Sequence, residues 1–147
     1  IFQISFLKDI SFHLGEYKSK VFETRGEAIL DIYISRDIMF EGYTYTSMIE
    51  MQGKAIKFAM LINGAENYKL SNPKWIINLL PKMLKLSLEN TFGYKKLNPP
   101  KTKAYVSISK KMDKPYWMMT KQELAFYLSN EIQMAESMSR KLVEFIE

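Results

Sequence analysis

Asp31, Glu50 and Lys57 are the residues of this 147-residue sequence whose types and spacing could support catalysis. Two carboxylates can hold a magnesium ion, and a lysine beside them can stabilise the charge that develops on a phosphate during hydrolysis. The three fall in stretches that read as neighbouring strands. With Gln52-Gly53 as the two-residue loop of a hairpin, Met51 faces Lys54, Ile49 faces Ile56 and Tyr45 faces Met60. Glu50 and Lys57 are then diagonal neighbours on one face, Asp31 can join them from the preceding strand, and Lys54 is the alternative lysine. The same residue types also make an ordinary ion pair on a solvated sheet face, the commoner outcome for such a set.

Charge is the stronger asymmetry. Between Lys74 and Lys114 ten lysines stand against Glu89 and Asp113, and this segment produces the formal net charge of +5. Lys95, Lys96, Lys101, Lys103, Lys110, Lys111 and Lys114 flank an expected strand at 104–109, with Tyr94, Tyr105, Tyr116 and Trp117 interleaved. Lysines neutralise phosphates and aromatic rings stack bases, so this composition suits a nucleic-acid surface. Lysine-rich loops also keep a hydrophobic chain in solution and guard a sheet edge. Arginine occurs only at positions 25, 36 and 140, so contacts would go to the backbone and carry little sequence preference.

Other chemistries are poorly equipped. There is no cysteine, which excludes disulfides, thiol catalysis and cysteine-bound zinc, and the lone His13 excludes a histidine-rich metal site. No metal or cofactor is expected. His13 alternates with Phe12 and Leu14 and reads as structural. No Gly-x-Ser-x-Gly motif and no glycine-rich phosphate loop occurs. The carboxylate set is similar to that of restriction-type nucleases, but their compact Glu-x-Lys is missing. Tyr116, Trp117 and Met118, followed by Met119, crowd large apolar groups into an expected loop. They are either buried under the last helix or exposed as a partner patch.

The elements that must position these residues follow from periodicity. Residues 1–14 alternate loosely through Phe2, Ile4, Phe6, Ile10, Phe12 and Leu14, which reads as two short strands or one strand with a bend. A strand over 17–24 precedes a turn at Arg25-Gly26. Strands at 28–35, 43–51 and 54–62 make an antiparallel meander around the hairpin 43–62. Ser71 or Asn72 can cap a helix over 73–92, with Pro73 in its first turn and Pro81 kinking it. Residues 94–103, with Pro99-Pro100, read as a stiff exposed connection, 104–109 as the last strand and 110–117 as a loop. Thr120-Lys121-Gln122-Glu123 is a capping box with Met119 and Leu124 as its staple. The helix it starts carries Leu124, Leu128, Ile132, Ala135 and Met138 on one stripe, with Gln133, Glu136, Arg140 and Glu144 outward and Glu136 paired to Arg140.

The expectation is a single α+β domain over 1–147. Its antiparallel sheet has about five strands and is covered by the kinked helix 73–92 and a long C-terminal helix 120–146. The chain starts at Ile1 without an initiator methionine, which reads as a trimmed fragment. No uncharged apolar run approaches about 18 residues, so a soluble, intracellular chain without a membrane span is expected. The leading function is a small non-enzymatic binding protein that engages the nucleic-acid backbone through the lysines of 95–114. A structural protein that self-associates through the C-terminal helix or a sheet edge is the alternative, and a metal-dependent nuclease is third.

Overall fold

The structure is a computed structural model that describes residues 2–34, 38–40, 43–63, 85, 93–94, 96–98 and 105–146. Its first element corrects the reading of the N-terminus. Phe2–His13 is an α-helix, α1, and not a pair of strands. Leu7 is the reason: a strand puts it on the face opposite Phe6 and Ile10, whereas a helix sets Phe6, Leu7, Ile10 and Leu14 on one stripe. Phe6, Leu7 and Ile10 are buried in the core, and Phe12, off that stripe, is left in solvent. His13 therefore ends a helix and is exposed.

The strands among the described residues are β1 (Ser19–Thr24), β2 (Glu27–Tyr33), β3 (Ile38–Phe40), β4 (Tyr43–Gln52), β5 (Ala55–Asn63), β6 (Lys96–Asn98) and β7 (Tyr105–Lys111). They form one sheet in the order β1-β2-β4-β5-β7-β6, with β3 also paired to β4. Every pairing is antiparallel. The meander of β2, β4 and β5 is as the sequence pattern predicts. The additional strands β3 and β6 fall in segments that read as connections. β3 pairs with the start of β4 on the side that β2 occupies further along, so it continues β2 after a break.

The β4–β5 loop is Gly53-Lys54, one residue later than its expected place. Gly53 has φ +59°, the left-handed value that glycine adopts without strain at the first loop position of a tight hairpin. Ile49 consequently opposes Phe58 and Met51 opposes Ile56, a displacement of two residues from the expected register. Because side chains alternate with period two, that displacement leaves each residue on its expected face. It also brings Glu50 directly opposite Lys57 instead of diagonal to it.

One sheet face is the core face. Leu30, Ile32, Ile49, Met51, Ile56, Phe58, Met60, Val106 and Ile108 pack there against α1 and the C-terminal helix α2 (Lys121–Ile146). Thr120 caps α2, its hydroxyl accepting the Glu123 amide at 3.1 Å, as the capping box requires. Leu124, Leu128, Ile132, Ala135 and Met138 are buried along the expected stripe. Glu136 accepts from the Tyr17 hydroxyl, and the Ser47 and Ser139 hydroxyls meet at 2.8 Å to tie β4 to α2. The Glu136 bond is the first cause, ahead of burial, of a Tyr17 hydroxyl pushed up to about 12. The helix expected over 73–92 lies outside the described residues except for Lys85, which is helical and exposed.

Candidate functional site

The backbone register lines up a row of polar residues on the second sheet face. Lys20 opposes Asp31, Asp31 opposes Glu50, Glu50 opposes Lys57, Lys57 opposes Ser109 and Ser109 opposes Lys96. Adjacent strands lie about 4.8 Å apart, so each residue of such a row is within reach of the next. The sequence-predicted trio of Asp31, Glu50 and Lys57 is therefore brought together on three neighbouring strands. Lys20 completes it from β1, a member that sequence spacing does not reveal.

The members of the row differ in how well they are satisfied. The Lys57 ammonium lies 2.9 Å from the Glu50 carboxylate. Lys20 stands 5.4 Å from the centre of the Phe22 ring, within cation–π range. Asp31 is only 7% exposed, and its Oδ1 has no hydrogen-bond partner. Burial pushes its carboxyl up to about 8, and the hydrogen bond and charge of Glu50 add to the rise. Two carboxyls in hydrogen bond share a proton between them, which favours the neutral form of the pair. Asp31 and Glu50 border a concavity of about 460 Å³ whose walls include Phe22, Ile29, Met48 and Leu61.

For metal chemistry the donor set is short. Among the described residues no group of three or more histidine or acidic side chains is placed to hold a metal ion. Of the two carboxyls present, Asp31 is buried beside Glu50, and Glu50 is engaged by Lys57. The trio thus has the residue types of a metal-dependent nuclease without a full ligand set.

The lysines of the basic segment are divided between the two faces and a helix terminus. Lys110 follows Val106 and Ile108 onto the core face, where it donates to the buried carboxylate of Glu131. Its ammonium also lies 4.6 Å from the Tyr94 ring centre and 5.7 Å from that of Tyr127. The Tyr94 hydroxyl donates to Glu131 at 2.9 Å. Burial, with the Glu131 charge behind it, raises both tyrosine hydroxyls well above their ordinary value. Lys114 pairs with Glu123 in the first turn of α2 at 3.0 Å, which holds the Glu123 carboxyl below its usual range. Lys96 and Lys111 are exposed and border, with Ser109, Lys110 and Asp113, a concavity of about 640 Å³ beside β6 and β7. Lys95, Lys101 and Lys103 lie outside the described residues.

The Tyr116 to Met118 cluster is divided too. Tyr116 is fully buried and stacks on Phe6 with ring centres 6.3 Å apart, while Trp117 (41%) and Met118 (63%) are exposed. The segment holds the hairpin loop. The Met112 amide donates to the Lys54 carbonyl at 2.7 Å and the Tyr116 amide to the Gly53 carbonyl at 3.3 Å.

Sequence reasoning missed the Tyr94, Lys110 and Glu131 cluster, although a signal exists. Glu131 falls between Leu128 and Ala135 on the apolar stripe of α2, and an acid on such a stripe needs a buried cation. Among the described residues the fold and these sites define an α+β protein with one antiparallel sheet, two long helices on its core face and polar concavities on and beside the sheet. Compared with protein-family models, curated proteins and solved structures, the chain matches none of them significantly. No helix among the described residues is long and apolar enough to cross a membrane.

Proposed function

We propose that this is a non-enzymatic binding protein that takes the phosphate backbone of a nucleic acid at the β6–β7 side of the sheet. One observation carries the reading: Lys96, Lys110 and Lys111 border one concavity with the Ser109 hydroxyl among them. Phosphate oxygens are bound by such sets of ammonium and hydroxyl donors. Glu131 offsets Lys110 and Asp113 borders the same concavity, while Lys96 and Lys111 are exposed on its rim and Lys95, Lys101 and Lys103 belong to the same basic segment. With three arginines in the whole chain, the expected mode is backbone contact with little base discrimination.

Fluorescence anisotropy with a labelled oligonucleotide between 50 and 200 mM salt, about the range over which counterion release is read, tests this. Affinity should fall with salt, and changing Lys96 and Lys111 together to glutamine should flatten the log–log slope by about one unit per lost phosphate contact. Binding that ignores salt, or that the double variant leaves unchanged, rules the reading out.

A second reading, self-association, is favoured by Phe126, which is 71% exposed on α2, and by Trp117 and Met118. β1 and β6 also stand at the two ends of the strand order. Light scattering over a wide concentration range decides it: a concentration-dependent mass that Phe126→Ser abolishes supports assembly, and a constant monomer mass removes it. The nuclease reading is not carried forward, because among the described residues no group of three or more histidine or acidic side chains is placed to hold a metal ion.

A further inference from the structure

Two of the aromatic residues interleaved with the lysines in sequence, Tyr94 and Tyr116, are buried in the core and can stack nothing from outside. Tyr127 of α2 takes their place, because it lines the β6–β7 concavity together with Lys96, Lys110 and Lys111. It is half-buried, and its hydroxyl is bonded to the Glu131 carboxylate, so what it turns to the concavity is ring. Gly93 lines the same space at φ +83°, a value that favours glycine, and leaves bare backbone in the wall. Glu131 offsets Lys110 and Asp113 borders the site, so the ammonium charge is diluted and a contact to a base adds to it.

The geometry points to a single-stranded nucleic acid as the ligand, with one unpaired nucleotide seated in this concavity, its phosphate on Lys96 and Lys111 and its base on the Tyr127 ring. Seating a nucleotide here rests on the phosphate contacts proposed above and adds the form of nucleic acid that makes them. Every base has a flat face, so stacking on an aromatic ring tolerates any sequence, in keeping with the scarcity of arginine. A duplex keeps its bases stacked inside and leaves the ring and the Gly93 wall unused. The volume of about 640 Å³ falls within the roughly 300–1,000 Å³ of small-molecule sites and gives room for one nucleotide.

A short labelled oligopyrimidine with one central 2-aminopurine, titrated with the intact chain both alone and annealed to its complement, tests this. Anisotropy should show the single strand bound at least about tenfold more tightly than the duplex, and the 2-aminopurine fluorescence should be quenched by stacking. Tyr127→Leu should cost the strand about tenfold and leave the duplex unaffected, whereas Tyr127→Phe, which keeps the ring, should bind as the parent does. The free nucleotide should bind at least about tenfold more weakly than the strand, because it offers the basic segment a single phosphate group. Quenching is read on the parent chain, so it decides even where the leucine variant folds poorly. Equal affinity for strand and duplex, no quenching, unchanged affinity in a folded Tyr127→Leu protein, equal loss in Tyr127→Phe, or a free nucleotide as tight as the strand overturns this seat. In each of those cases the backbone reading stands if changing Lys96 and Lys111 to glutamine still weakens binding, while no binding of either form ends both.

Discussion

Glu131 and Asp31 are both carboxyls withdrawn from water, and they are handled in opposite ways. Glu131, 3% exposed, receives the Lys110 ammonium and the Tyr94 hydroxyl, so both its oxygens are matched. Asp31 receives a second acid, and one of its oxygens faces no donor. The difference separates a charge held by its partners from a carboxyl whose neutral form the fold favours. A matched buried pair fixes the position of α2 against β7, whereas an acid set against a second acid has its carboxyl pushed up by burial and by its neighbour and makes folding sensitive to pH.

The comparison breaks most sharply at Glu131. Glu131→Ala leaves the Lys110 charge and the Tyr94 hydroxyl buried without their acceptor, so urea denaturation should show a loss of about 3–5 kcal/mol. An unchanged midpoint would mean that the cluster contributes nothing to α2 docking.

Asp31→Asn should act in the other direction, and pH reveals it. The folded carboxyl titrates near 8 and the unfolded one near its ordinary 3.8. Folding therefore takes up a proton. The stabilisation this brings is complete below about pH 4 and is lost as pH rises through about 8. Denaturation midpoints of the parent chain should decline across that window, and the asparagine variant should lack that part of the decline. Above pH 8 the variant should be the more stable by about 1–3 kcal/mol. A parent stability that rises from pH 5 to pH 8 by way of Asp31 would reverse the contrast between the two acids.

Thr120→Ala removes one satisfied amide at the start of α2 and should cost about 1 kcal/mol in the same denaturation experiment. The smallest effect belongs to the exposed acids. Asp9 meets Lys121 at 2.9 Å in full solvent, and Asp9→Asn should leave the midpoint unmoved while abolishing the salt dependence of that contact.

Periodicity made much of this fold legible. The β2, β4 and β5 meander follows from alternation in Leu30, Ile32 and Ile34 and in the residues around Gly53, and α2 follows from Thr120 and Glu123 at its cap. Residues 1–14 misled because Phe2, Ile4, Phe6 and Ile10, Phe12, Leu14 satisfy a period of two, and only the tertiary burial of Leu7 selects the helix. β6 escaped notice because a three-residue strand is too short to show a period. The trio of Asp31, Glu50 and Lys57 was legible because each belongs to a readable strand. The raised Asp31 carboxyl and its unmatched oxygen were not, since both depend on how deeply Asp31 sits. The sharing of Lys110 and Lys114 with acids of α2 was hidden by sequence distance, which composition does not record.

The core face is roofed by elements from distant parts of the chain: among the described residues α1 precedes the strands, α2 follows them, and Tyr17 meets Glu136 across 119 residues. On a ribosome adding about 5–20 residues per second, the sheet is complete to Lys111 before any of α2 exists. Ile49, Phe58 and Ile108 then lack the part of their core cluster that α2 supplies. The nascent chain is at its stickiest in that interval, and a product truncated before Lys121 should be held by chaperones or precipitate, however well its strands pair.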